Sequence, residues 1–157
     1  MRYLDINRKW SGYVDSIASD SRRYNNQRLV SARRFARMSQ LLDNVPDVDI
    51  DGHGRFKYIL IDVQDNVGKA NKKIVRGYAR SQWHADIFDV AEEQIKKHAG
   101  LQANCVGGGR IEHDPDEKTI KVYGYSQGFG KADHQVSVEI LRKKYPAYNV
   151  TWSDEGY

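Results

Sequence analysis

Phe56-Lys57-Tyr58-Ile59-Leu60-Ile61-Asp62-Val63 is the stretch on which the fold turns. Its β-branched and aromatic residues predict a strand. Alternation sends Phe56, Tyr58, Leu60 and Asp62 to one side and Lys57, Ile59, Ile61 and Val63 to the other. A strand with one wet face carries polar residues on that face. This one is apolar at its centre on both, so it belongs inside a sheet covered on both sides. The expected fold is therefore a single α/β (α+β) domain, a sheet with a helix on each side. Lys57 stands out in such a strand, because a buried ammonium needs a bound anion, a carboxylate or a route to water.

The flanking sequence fits this frame. Upstream, Pro46 with Asp47, Asp49, Asp51, Gly52 and Gly54 reads as a boundary and turn. Downstream come a polar loop over 64–70, a second strand over 73–78, and a helix over about 84–98. The helix is marked by Ile87, Phe88, Ala91 and Ile95 and stopped by Gly100. Residues 103–106 read as a short strand ended by the run Gly107-Gly108-Gly109. Residues 110–113 and 119–125 then read as the arms of a hairpin. A glycine-rich loop, Ser126-Gln127-Gly128-Phe129-Gly130, leads to a second helix over about 133–144 with Val136, Ile140 and Leu141 inward. Pro146 blocks it, and 148–152 is a closing strand. The expected order is β-β-α-β-β-β-α-β.

A chain of 157 residues is one domain's worth. Residues 1–45 hold 9 Lys and Arg against 4 Asp and Glu, a net of +5, while residues 46–157 hold 16 against 17, a net of −1. Polyanion attraction therefore belongs to a basic N-terminal extension over 1–45, and no nucleic acid is expected for the core over 46–157. Within the extension, a helix from Arg28 to Leu42 would put Leu29, Ala32, Phe35 and Ala36 on one side and Arg33, Arg34 and Arg37 on another. Mitochondrial presequences and docking helices share this pattern, although Asp5, Asp15 and Asp20 count against a presequence. No apolar run approaches the roughly 20 residues of a transmembrane helix. The single Cys105 has no intrachain partner, so the default compartment is the reducing cytosol.

Several motifs bear on chemistry. Residues 124–131 are not a P-loop: five residues separate Gly124 from Gly130, and Ala132 stands where a Mg²⁺-binding hydroxyl is needed. Backbone amides around Gly128 can still form an anion nest. Cys105 and Arg110 bracket four residues rather than the five of a cysteine-phosphatase loop, which leaves the ring of amides open. None of the five histidines has metal-ligand spacing to another or to Cys105. The junction from Arg76 to Asp89 is the richest place. There a strand end gives way to a helix start, with His84 beside first-turn amides and nearby arginines, a set suited to an anion that needs a base.

These segments together resemble the janus/ocnus family of protein histidine phosphatases. The resemblance rests on Val48-Asp49-Ile50, Phe56-Lys57-Tyr58, Val75-Arg76-Gly77-Tyr78, His84-Ala85-Asp86-Ile87, Gly107-Gly108-Gly109-Arg110-Ile111, Val122-Tyr123-Gly124-Tyr125-Ser126, Lys144-Tyr145-Pro146 and Asp154-Glu155-Gly156-Tyr157. It covers about residues 46–157. It implies an α/β fold with a mixed β-sheet sandwiched between two helices, and hydrolysis of phosphohistidine in proteins without a metal or other cofactor, with His84 as catalytic residue and Lys57 as substrate-binding lysine. It also implies that Ser126, Gln127 and Gly128 hold phosphate, that Ala85 supplies a further amide, and that Arg76 and Arg110 lie beside the site. Gln127 and Gly128 differ in type from vertebrate members, which matters little where backbone amides do the holding.

Two routes are open for His84: general base toward water, or direct attack on phosphorus. The implied partners are phosphohistidine-containing proteins met by a monomer. Two other classes compete with the enzyme. One is a catalytically silent phosphohistidine-binding module on the same pocket; the other is a docking protein that works through its basic arm.

Overall fold

The computed structural model describes residues 28–31, 33, 41–66 and 69–155. Residue contacts divide the chain into a unit of residues 1–37 and a unit of residues 38–157. In the first, residues 28–31 and 33 are helical, with Leu29 and Val30 exposed. Most of the helix expected from Arg28 to Leu42 lies outside the described residues, as do Ala32, Phe35 and Ala36 on its apolar side. Among the described residues, no helix is long and apolar enough to cross a membrane.

The elements of the second unit are, in chain order, β1 (Val48–Ile50), β2 (Gly54–Asp65), β3 (Asn71–Gly77), α1 (His84–Lys96), β4 (Leu101–Asp114), β5 (Thr119–Tyr123), α2 (His134–Lys144) and β6 (Asn149–Trp152). The strands form one mixed sheet in the order β1-β3-β2-β4-β5-β6. Its centre is antiparallel, β2 pairing with both β3 and β4, and β4 with β5. At the edges β1 runs parallel to β3 and β6 parallel to β5.

Each face of the sheet carries one helix. Tyr58 and Leu60 join Val75, Ile111, Ile120 and Val122 beneath Val138 and Leu141 of α2. Ile59, Ile61 and Val63, one residue out of phase, join Ile74 beneath Ile87, Ala91 and Ile95 of α1, together with Leu42 and Val45. Burial of each such aliphatic side chain is worth about 1.5–3 kcal/mol. The alternation in β2 thus decides which helix each residue meets. Lys57 falls on the α1 face, beyond the helix's cover.

Two elements depart from the expected order, which becomes β-β-β-α-β-β-α-β. The segment read as a turn contains β1, whose three residues pair in register with Val75, Arg76 and Gly77. It is too short and acidic to declare itself locally, and the pairing makes it a strand. Residues 101–114 form one strand, not two pieces hinged at glycine. A register shift moves the partner from Gly107 opposite Leu60 to Cys105 opposite Ile61, leaving Val106 as the extra residue of a bulge.

Candidate active site

Helix α1 starts at its N-cap, Trp83, which is extended (φ −121°, ψ 155°) and donates its N–H to the Asp86 carboxylate at 2.7 Å. That bond uses the acidic side chain of the first turn, where a negative charge also complements the helix dipole. His84 is the first helical residue and is buried. Its Nε2 donates to the carbonyl of Gly109 in β4 at 3.0 Å. A neutral imidazole that donates from Nε2 carries its lone pair on Nδ1, on the opposite side of the ring.

The glycines of β4 let the histidine come this close. A Cβ on Gly108 would stand 2.8 Å from His84 Cδ2 and 2.8 Å from the Tyr58 carbonyl oxygen. On the other face, a Cβ on Gly109 would stand 2.5 Å from the Tyr123 carbonyl oxygen and 3.0 Å from His134 Cε1.

The same stretch of β4 anchors the glycine-rich loop. Gly108 donates its N–H to the Gly130 carbonyl at 3.0 Å, and its own carbonyl accepts from Ala132 N–H at 3.1 Å. Ser126 and Gly130 exchange backbone hydrogen bonds of 3.1 and 2.9 Å, while the buried Ser126 hydroxyl accepts from Phe129 N–H at 3.2 Å. The loop is therefore closed on itself except at its tip. Among the described residues, the N–H groups of Gln127 and Gly128 have no acceptor, and Ala85, in the first turn of α1, has none within its helix.

Two cations complete the set. Lys57 of β2 is paired in register with Arg110 of β4, so both side chains leave the sheet on the α1 face. A cavity of about 600 Å³ is lined by Lys57, His84, Ala85, Arg110, Ser126, Gln127 and Gly128, together with Trp83 and Phe129.

Of the eight residues singled out from sequence, Arg76 does not line this cavity. It is 1% exposed and donates from Nη1 to the Val75 carbonyl at 2.9 Å and from Nη2 to the Pro46 carbonyl at 2.8 Å. Burial lowers its pKa, and Tyr78, Asp49 and Asp47 act the other way. It clips the segment before β1 onto β3. Trp83 and Phe129 were not among the residues singled out from the sequence, because neither side chain carries a charge or a titratable proton.

Burial holds the His84 pKa below the usual 6.5; the Gly109 carbonyl opposes this, and the charges of Lys57 and Arg110 add to it. Near neutral pH the ring is thus an uncharged base with its tautomer set. Cys105 is not among the cavity's lining residues; burial pushes its thiol up, against a weaker pull from a backbone hydrogen bond of Gly107. Cys105 and Arg110 lie on one extended strand, a shape that cannot wrap a phosphate.

The chain matches the model of the Janus/Ocnus family (Ocnus) over residues 42–149. It is 56% identical over 126 residues to sex-regulated protein janus-A of Drosophila orena, covering 80% of this chain and 92% of the relative. The janus-A protein of Drosophila melanogaster is 54% identical over the same coverage. The 14 kDa phosphohistidine phosphatase of Sus scrofa is 46% identical over 121 residues, 74% of this chain and 95% of the relative.

Proposed function

The chain belongs to the Janus/Ocnus family, and from that premise we propose that it hydrolyses phosphohistidine in proteins, with His84 as its general base. One observation carries the proposal. A buried histidine kept neutral, its Nε2–H fixed on Gly109, shares one cavity with two cations and the amides of Ala85, Gln127 and Gly128.

The phosphoryl oxygens take those amides, as anions do at helix starts and backbone nests. Lys57 and Arg110 offset the charge that spreads over the equatorial oxygens in the transition state. His84 Nδ1 removes a proton from water as its oxygen attacks phosphorus. The P–N electron pair passes to the leaving imidazole nitrogen, and a proton already on the other ring nitrogen makes the departing group neutral. No metal is required by this scheme. Arg76 acts at a distance from the phosphate, by fixing the chain at Pro46.

The Nδ1 lone pair also suits direct attack on phosphorus. A phosphate-bearing His84 that forms and decays fast enough to account for turnover, sought by rapid quench, would replace the water-activation route with a covalent one.

The test is phosphate release from a phosphohistidine peptide in the presence of a chelator, comparing wild type, His84→Ala and Cys105→Ser. Turnover by wild type and Cys105→Ser with a silent His84→Ala is expected. A folded but inactive wild type that binds the peptide would make the cavity a phosphohistidine reader.

A further inference from the structure

The cavity has two kinds of lining. Its cations and amides suit a phosphoryl group, yet about 600 Å³ lies within the roughly 300–1,000 Å³ of pockets that enclose whole small molecules. The remainder is lined by two aromatic side chains, Trp83 and Phe129.

The fold does not account for Trp83. It is the N-cap of α1, a position where Ser, Thr, Asp or Asn serves by accepting a hydrogen bond from the first turn, and an indole has no acceptor for that purpose. Its side chain is not buried either, with 62% of the residue exposed. Among the described residues, this exposed tryptophan at a poor capping position, adjacent in the chain to the proposed base, has no side-chain contact that explains it. Phe129 is held differently. Its ring packs against Phe88 of α1 at 5.8 Å between centroids, tilted by 60°, and this contact ties the loop tip to the helix.

We propose that Trp83, with Phe129 beside it, seats the imidazole ring of the phosphohistidine residue and makes the site prefer a phosphoryl group carried on an imidazole to one carried on a ring-free nitrogen. The inference rests on the hydrolase function proposed above and names the part of its substrate that the phosphate site leaves unrecognised. The reactive form of phosphohistidine is a planar cation, and an indole face is the best aromatic partner for a cation. Stacking favours the protonated ring, the form from which the P–N pair leaves on a neutral imidazole. A tryptophan one residue before His84 also fixes the leaving group relative to the base, and a ring-free phosphoramide has no plane to seat.

The experiment uses the full chain as wild type, W83A and W83F. It measures kcat/KM on a phosphohistidine peptide and on phosphoramidate, whose phosphoryl group sits on nitrogen without a ring. The preference for the peptide over phosphoramidate is expected to fall about tenfold in W83A and to return largely in W83F, within the range of a desolvated cation–π contact. The alkaline limb of peptide turnover should move to lower pH in W83A. An unchanged preference ratio in W83A overturns the imidazole seat while leaving the hydrolase function standing. Wild type silent on both substrates overturns the hydrolase function and the seat with it.

Discussion

His84 and His134 address β4 from opposite faces of the sheet, each as the first residue of its helix and each donating from Nε2 to a glycine carbonyl, Gly109 at 3.0 Å and Gly124 at 2.9 Å. The construction is the same and the outcome differs. The Tyr58 hydroxyl donates to His134 Nδ1 at 2.7 Å and closes that ring into the core, whereas His84 lines an open cavity. Substitution should therefore separate the two. His134→Ala removes the shorter of the two hydrogen bonds of the buried Tyr58 hydroxyl, leaving Ser137 Oγ at 3.2 Å, and should lower stability by about 1–3 kcal/mol. Phosphate release per folded molecule should change little. His84→Ala should abolish release and shift the denaturation midpoint less. Denaturant melts run beside turnover assays check both.

Acid should act on activity and on stability in the same direction. The proposed mechanism needs neutral His84, whose pKa burial lowers, so the acid limb of kcat/KM should have its midpoint below 6.5. His134 is lowered for the same first reason, burial, against its bond to Gly124. For both, the unfolded chain binds protons more readily than the folded one. The stability from keeping these rings neutral is present above about pH 6.5 and is lost as pH falls through the lower folded values. A pH series of melts checks the sign; greater stability toward pH 5 would contradict it.

Lys57→Ala should reduce kcat by about 10²-fold, the scale for removing one preorganised donor from a developing oxyanion. Lys57→Arg should recover part of it, because charge returns without the shape of an ammonium. Steady-state kinetics on a phosphohistidine peptide read this out.

Arg76→Met should behave differently from Lys57→Ala. It removes hydrogen bonds to Pro46 and Val75 from a buried site and should destabilise by about 1–3 kcal/mol. Affinity of the folded variant for inorganic phosphate should stay near that of wild type. Chemical denaturation and phosphate titration followed by NMR shifts distinguish a clip from a ligand.

Gly108→Ala places a methyl group 2.8 Å from His84 Cδ2 and 2.8 Å from the Tyr58 carbonyl oxygen, so the ring or the strand must move. Overpacking of this kind costs about 1–3 kcal/mol. Here it should also lower kcat by displacing the base. Wild-type kcat in this variant would show that the contact is slack.

Much of this architecture was legible because it is periodic. The two-residue alternation of β2 and the 3.6-residue spacing of Ile87, Ala91 and Ile95 are properties of the local chain, and they assigned both layers. What failed was not local. β1 exists because β3 offers three residues to pair with. Gly107, Gly108 and Gly109 read as a break because glycine usually punctuates a chain, and only the packed structure shows side chains and a loop pressing on a continuous strand. At the site, His84, Lys57 and Arg110 could be chosen by charge and proton chemistry. Arg76 was grouped with them because sequence places it near the junction without saying where its guanidinium goes. Trp83 was passed over because an indole carries neither the charge nor the titratable proton by which the others were chosen.

The outermost strands have a consequence of another kind. β1 offers three residues and β6 four, and each lies parallel to its neighbour. A sheet edge recruits further chains by offering a row of unmatched backbone groups, and rows this short are poor templates for fibre growth. The borders of this sheet therefore limit runaway polymerisation at high concentration, while the candidate site is kept on a face.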